Sequence, residues 1–293
     1  MWASTRSTRM PWCPVRGKPW LCGTTTCEIK SGYGLEPELE LKQLRAIRAL
    51  SARTPVDVWP TLLAHVIPPA ERHDRATFVG RFCDEVIRPA ASEGLARFFD
   101  VFIEGGAYTP DEALILIAVA KACDLGIKLH VDQLSEGAGA ALAAQVEALS
   151  ADHLEKASTD GLKALARGGV TACILPGCRL FLGKDPWPDG RGLRDAGCEV
   201  AVATDCNPGS SMIGDLTLCG SIAATCCGLS LEEALWGMTR GGAKALGLSD
   251  RGRLVAGERA DFVVVRHADW RALLYQPGAA PIGSVYVGGK AIG

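Results

Sequence analysis

The chain has 293 residues, 48% hydrophobic, 22% charged and 6% aromatic, with a formal net charge of −2. That composition excludes intrinsic disorder, and the near-neutral charge removes the electrostatic motive for binding nucleic acid or an anionic membrane surface. No run of about 18 apolar residues occurs, so no membrane span is predicted.

Residues 1–23 stand apart. They hold Arg6, Arg9, Arg16, Lys18, Trp2, Trp12 and Trp20 without one acidic residue. No apolar stretch follows the charges, so the segment is not a secretory signal and is read as an atypical start without a structural role. From Cys27 onward short apolar runs alternate with segments of helical period. The predicted strands are residues 27–31, 61–65, 99–104, 128–132, 150–153, 172–176 and 200–205. Helices are predicted over 38–52, 110–125, 139–148 and 159–167. Strict alternation predicts parallel βα units, here over residues 24–250, and mostly apolar strands suit a sheet covered on both faces.

Beyond Ser230 the pattern changes. Leu231 to Leu246 reads as one helix, with Ser230 as N-cap, Glu232 and Glu233 in its first turn, and Gly247 just past its end. Strand-like runs at 252–255, 260–265 and 284–290 then follow without helices between them. They predict a small β segment over residues 251–293.

Seven βα units leave two architectures open: an open doubly wound sheet, or a closed barrel one strand short of eight. The polar residues favour the barrel. His65, Glu104, His130, His153 and Asp205 all fall at or just past the C-terminal ends of predicted strands. In a barrel those ends share one mouth, where the chemistry of such folds sits. The twelve cysteines form no C-x-x-C pair, and a disulfide framework does not suit a chain this long without a secretory signal. They are expected to be reduced, mostly buried small hydrophobes of a cytoplasmic protein.

His130, His153 and Asp205 are the candidates for chemistry. An imidazole at a strand end is a natural ligand for a divalent metal, and a carboxylate buried there is costly unless paired or metal-bound. A metal held by His130 and Asp205 would activate water. Asp205 would take that water's proton and pass it to a leaving nitrogen, while His153 polarised the carbonyl under attack. The expected outcome is hydrolysis of a C–N bond. The turn after Asp205, Asn207-Pro208-Gly209-Ser210, either offers backbone N–H groups to an anionic group or is simply a tight turn. Lys30 and Tyr33 flank a glycine-rich turn without the spacing of a nucleotide site. His73 and His267 sit in polar, surface-like surroundings. Ser210 and Ser211 lack a nucleophile elbow.

Four strings carry a resemblance: Glu28-Ile29-Lys30-Ser31-Gly32-Tyr33-Gly34-Leu35, Leu129-His130-Val131-Asp132-Gln133, Ser150-Ala151-Asp152-His153-Leu154-Glu155, and Ala203-Thr204-Asp205-Cys206-Asn207-Pro208-Gly209-Ser210. In order and spacing they resemble the imidazolonepropionases, the histidine-degrading members of the amidohydrolase superfamily. The resemblance runs from about Thr24 to the C-terminus. It implies a metal-dependent (β/α)8 TIM-type barrel with a C-terminal β-sandwich segment. It further implies opening of the ring of 4-imidazolone-5-propanoate, a small-molecule substrate, to N-formimidoyl-L-glutamate.

By resemblance His130 and Asp205 are ligands of one divalent metal, zinc or iron, and His153 is the catalytic histidine. Gln133 falls near the metal water and substrate. Tyr33, His65, Asn207, Gly209 and Ser210 fall on positions that contact substrate or product. Homodimers are usual in the family. Two departures matter. Some members have glutamate where this chain has Gln133, which can orient a water but cannot act as a base. The family's His-x-His ligand pair on the first barrel strand has no counterpart here. The missing strand and the missing pair are read together as absence of the family's N-terminal portion. Since a catalytic zinc takes three protein ligands plus water, weak metal binding and poor turnover are expected. The alternatives are another cyclic amide or amidine hydrolase or a deaminase of the superfamily, and a non-catalytic remnant of the fold.

Overall fold

The computed structural model describes residues 22–183, 186–279 and 281–292. The acid-free start of the sequence lies outside them, apart from its last two residues. Seven parallel strands pair in chain order: β1 (Thr26–Lys30), β2 (Asp57–Ala64), β3 (Phe98–Ile103), β4 (Gly126–Val131), β5 (Ser150–His153), β6 (Thr171–Ile174) and β7 (Val200–Val202). Sequential parallel strands with helical crossovers are the arrangement of a partial (β/α)8 barrel. Among the described residues β1 and β7 each have one sheet neighbour.

The main crossover helices are α1 (Pro37–Ser51), α2 (Arg75–Phe82), α3 (Arg88–Ser92), α4 (Pro110–Ala122), α5 (Gly139–Gln145), α6 (Thr159–Gly168), α7 (Pro176–Leu182), α8 (Gly190–Asp195) and α9 (Leu216–Cys226). Their boundaries follow local chemistry. Thr109 and Glu112 close a reciprocal capping box at the start of α4, and Ser158 caps α6, which ends on Gly169 at φ +66°.

Side chains alternate along the strands with period two, and the two faces differ in kind. Outward, Leu62, Ala64, Phe99, Val101, Leu129, Val131, Ala151 and Ala172 join Leu44, Ile47, Leu116 and Leu165 of the helices in one apolar core. Each fully buried large side chain there contributes about 1.5–3 kcal/mol. Inward, the same strands present Glu28, Lys30, Asp100, Lys128, His130 and Asp152. The strands are thus apolar on the outward face and charged on the barrel's inside.

The predicted helix from Leu231 divides into α10 (Leu231–Trp236), a π-helical turn at Gly237–Gly241 and α11 (Gly242–Ala245). The cause is close approach to β7: a Cβ on Gly241 would collide with the carbonyl of Val200, and one on Gly237 with Val202. Ser230 caps α10 in a capping box with Glu233, and Gly247 has φ +67°. At the C-terminus β8 (Phe262–Val265), β9 (Ile282–Val287) and β10 (Lys290–Ile292) form an antiparallel sheet, with α12 (Ala272–Tyr275) between the first two. Phe262 and Tyr286 stack at 4.4 Å across it. The run at 252–255 is not a strand. Leu254 is 80% exposed, and among the described residues no strand pairs with the segment. Arg251 instead fastens this region to the barrel through Thr26 and Asp57, at 3.0 and 2.6 Å. Cys173, Cys178, Cys198, Cys219 and Cys227 are buried free thiols. Among the described residues no helix is long and apolar enough to cross a membrane.

Candidate active site

The inward face of β1, β3, β4 and β5 forms a floor of interlocked charges. Lys30 Nζ lies 2.6 Å from Asp100 Oδ2, 3.1 Å from Asp152 Oδ2 and 3.1 Å from Glu28 Oε1. Lys128 Nζ lies 2.9 Å from Glu28 Oε2 and donates to the Ala245 carbonyl at 3.1 Å. Burying such ions is tolerable only because each has counterions at contact distance. Burial opposes ionisation of Asp100, but His130 and Lys30 outweigh it and hold the carboxyl far below the usual range. Burial likewise opposes the charges on Asp152 and Lys30, and the facing ions again prevail, lowering the first and raising the second.

Above the floor lies the mouth, lined by a chain of rings. Tyr33 meets His65 at 5.1 Å, His65 meets Phe102 at 5.7 Å, Phe102 meets His130 at 6.4 Å, and His130 meets His153 at 5.2 Å between centroids. Register explains part of this, because Phe102 pairs with His130 and His130 with Asp152 across adjacent strands. The far side is closed by the loop after β7. The Tyr33 hydroxyl donates to Asn207 Oδ1 at 3.0 Å, and the Ser210 hydroxyl lies 3.3 Å from Asp205 Oδ2. Gln133 faces Cys178 Sγ at 3.8 Å. Ring contacts thus link Tyr33, His65, His130 and His153, and hydrogen bonds link Tyr33 to Asn207 and Ser210 to Asp205, whereas His73 and His267 are exposed elsewhere.

Electrostatics follows the same map. Burial and the charge of Asp205 push the Tyr33 phenol up to about 12. Burial and neighbouring His130 lower His65, and burial with Asp205 pushes the Cys178 thiol up to about 11. For His130 burial works downward, but Asp100 and Asp152 more than offset it and the ring holds its proton above the ordinary range.

Three non-glycine residues at the rim take left-handed backbone: Asp132 at φ +52°, His153 at +82° and Asp205 at +49°. Such conformations cost about 1–3 kcal/mol each and collect where function over-determines the structure. Asp132 has a structural use as well, accepting from the amides of Gly137, Gly139 and Ala140 at 3.0, 3.0 and 2.8 Å. The glycine-rich turn after β1 is shaped by the buried Glu40, whose carboxylate takes the amides of Gly32, Gly34 and Leu35 at 2.6–2.7 Å. Lys30 belongs to the floor, not to that turn. In the loop after β7 the amides of Gly209 and Ser210 both donate to Asn207 Oδ1 at 2.8 Å. Of the two readings left open for this turn, these hydrogen bonds favour the plain tight turn, because both amides are spent on it.

Sequence reasoning missed Asp100, Asp152, Lys128 and Arg179. It placed Glu104 at the mouth, where it holds the following loop by accepting from the amides of Gln133 and Leu134 at 3.2 and 2.8 Å. Arg179 ties Glu155, at 2.9 Å, to the Gln133 carbonyl, at 2.5 Å.

One set of residues among those described clusters as the ligands of a cation would. Ligand atoms of Asp100, His130 and Asp152 all lie within 4.8 Å of one another. The Lys30 ammonium already sits against both carboxylates, so that trio is neutralised from within. The His130 ring also borders the mouth, 5.2 Å from the His153 ring between centroids. His130 Nδ1 is sealed from solvent 2.9 Å from Asp100, although the ring N–H is not aimed squarely at the carboxylate, and its Nε2 is not among the sealed atoms. A carboxylate behind the remote ring nitrogen is how metal-binding histidines are usually supported. An imidazole and the Asp205 carboxylate form a nitrogen and oxygen donor set that suits zinc or iron.

A model of the amidohydrolase family matches residues 25–277. The chain belongs to the amidohydrolase family. It is 47% identical over 260 residues to the imidazolonepropionase of Myxococcus xanthus and 46% identical over 267 residues to that of Deinococcus radiodurans. These alignments cover 88% and 91% of this amidohydrolase chain but 62% and 65% of those proteins, so it spans less than two thirds of their length. The structure of atrazine chlorohydrolase from Arthrobacter aurescens complexed with zinc is similar in fold, with a TM-score of 0.69 at 18% identity, covering 93% of this chain and 69% of that one.

Proposed function

We propose that this amidohydrolase hydrolyses the ring C–N bond of 4-imidazolone-5-propanoate to N-formimidoyl-L-glutamate, with one divalent ion, zinc or iron, held by His130 and Asp205. The observation that carries the reading is the chain of ring contacts from Tyr33 through His65 to His130 and His153, with the Tyr33 hydroxyl joined to Asn207 in the loop that carries Asp205. It is supported by the 47% identity to an imidazolonepropionase. In this reading the protein works in the cytoplasm on a small molecule.

When bound, the ion supplies Lewis acidity that brings the pKa of water toward about 7. Asp205 accepts the proton that water loses and delivers it to the ring nitrogen as the C–N bond breaks and the C–O bond forms. His153, in its protonated form, donates from Nε2 to the carbonyl oxygen as negative charge develops there. Gln133 orients the water through its amide. Tyr33, His65, Asn207 and Ser210 bind the substrate's flanks through their side chains, and Gly209 lies against them in the same turn, its amide held by Asn207. Slow turnover is expected, because two protein ligands fall short of the three that a catalytic zinc takes.

The test is incubation of the chain with 4-imidazolone-5-propanoate and zinc, following N-formimidoyl-L-glutamate. Product should form faster than in buffer, and formation should be lost with a chelator or in His153→Ala. A rate equal to buffer, or one that His153→Ala does not change, contradicts the reading.

A further inference from the structure

One buried ion pair at the mouth has no role in the scheme above. Glu155 follows β5 with its side chain fully buried, and Arg179 on α7 is nearly as deep, at 2% exposure. Arg179 Nε lies 2.9 Å from Glu155 Oε1, and its Nη2 donates to the Gln133 carbonyl at 2.5 Å. The same Oε1 lies 3.5 Å from His153 Nδ1, longer than the about 2.9 Å of a formed N–H···O bond. Both Glu155 oxygens, Arg179 Nε and His153 Nδ1 are sealed from solvent without a well-aligned hydrogen bond, whereas His153 Nε2 is not so sealed.

A buried carboxylate with spare acceptors beside a buried ring nitrogen without a partner has one economical resolution: the nitrogen carries the proton and donates it to the carboxylate. We propose that Glu155, anchored by Arg179, is a positioning residue that keeps a proton on His153 Nδ1, so that Nε2 is the nitrogen presented to a molecule in the mouth. The pair also ties His153 to the backbone of Gln133, so two rim residues are set by one buried contact. A ring fixed this way accepts through Nε2 when neutral and donates through it when protonated, as a carboxylate behind a catalytic imidazole allows elsewhere. The catalytic meaning rests on the function proposed above, but the tautomer does not.

The test is the His153 ring tautomer in metal-free chain labelled with 15N at histidine, read from two-bond nitrogen–proton correlations and assigned by loss of the signal in His153→Ala. The expected result is a dominant Nδ1–H pattern. The double variant Glu155→Met/Arg179→Met removes the pair together, leaves no orphan charge, and should lose that pattern. Glu155→Gln, which can keep an oxygen at the same place, should retain it. An Nε2–H pattern in the unaltered chain overturns the proposal whether or not the double variant folds, as does an unchanged pattern in the folded double variant. An Nδ1–H pattern in a chain that makes no product would leave Glu155's positioning intact and refute the hydrolysis alone.

Discussion

The floor of the barrel and its mouth, a few ångströms apart, are built from the same residue types to opposite ends. In the floor Glu28, Lys30, Lys128, Asp100 and Asp152 pair with one another at 2.6–3.1 Å, and Asp100 Oδ1 is the one carboxylate oxygen among them sealed without a hydrogen bond. At the mouth His130, His153, Glu155 and Arg179 keep sealed polar atoms without hydrogen bonds, and three rim residues hold left-handed backbone. Satisfied networks rigidify, whereas unsatisfied buried groups cost free energy and persist where something else requires them. The floor is therefore read as scaffold and the mouth as the place where a ligand completes the structure.

The largest effect should come from the floor. Asp100→Ala strips partners from Lys30 and His130 at once and should cost about 3–5 kcal/mol in urea unfolding, the loss expected when a buried ion loses its counterion. A loss below about 1 kcal/mol would make the floor dispensable and erase the contrast.

Acid should dissect the two regions next. Glu28, Asp100 and Asp152 have folded pKa values below their unfolded ones, so they contribute stability that is fully present above about pH 4. That contribution should be lost progressively as pH falls below about 4 toward the folded values. His130 runs the other way: its raised value contributes below about pH 6.5 and is lost as pH climbs through it. Urea titrations across pH should show a steep acid limb that Asp100→Ala flattens. A limb of equal slope in both chains would place the acid sensitivity elsewhere.

At the mouth Tyr33→Phe removes the hydroxyl that donates to Asn207 at 3.0 Å. Tyr33 is 46% exposed, so the stability change should stay at or below about 1 kcal/mol. A loss comparable to that of Asp100→Ala would show that the rim is scaffold too. The smallest effect is chemical. With the Cys178 thiol pushed up to about 11, almost none is thiolate at pH 8, so iodoacetamide should label exposed Cys226 well before Cys178. Peptide mass mapping over time would check that order, and equal rates would mean that the mouth is open to solvent around Gln133.

Much of this contrast was legible in the sequence, and the part that was not has a physical reason. The seven strands could be placed because apolar runs and helical periods alternate. The rim histidines and Asp205 could be placed because they end those runs. The charged floor could have been found as well: Asp100 in Phe99-Asp100-Val101, Lys128 and His130 around Leu129, and Asp152 between Ala151 and His153 repeat a polar residue at period two. The apolar residues between them dominate these runs, and barrel and open sheet share that outward half of the pattern. Arg179 gives no local signal, because only tertiary folding brings α7 to the Gln133 carbonyl. The π-helical turn at Gly237–Gly241 depends on contact with β7, which no window of helical propensity contains. The run at 252–255 misled in the other direction, β-prone in composition but without a neighbour to pair with.

The claim that the rim binds one divalent ion through His130 and Asp205 is tested most directly by calorimetric titration of zinc into the metal-free chain at pH 7.5. The account predicts one zinc per chain, with affinity reduced at least tenfold in His130→Ala and in Asp205→Ala and unchanged in His267→Ala. Equal affinity in all four proteins, or no stoichiometric binding to the unaltered chain, would contradict it.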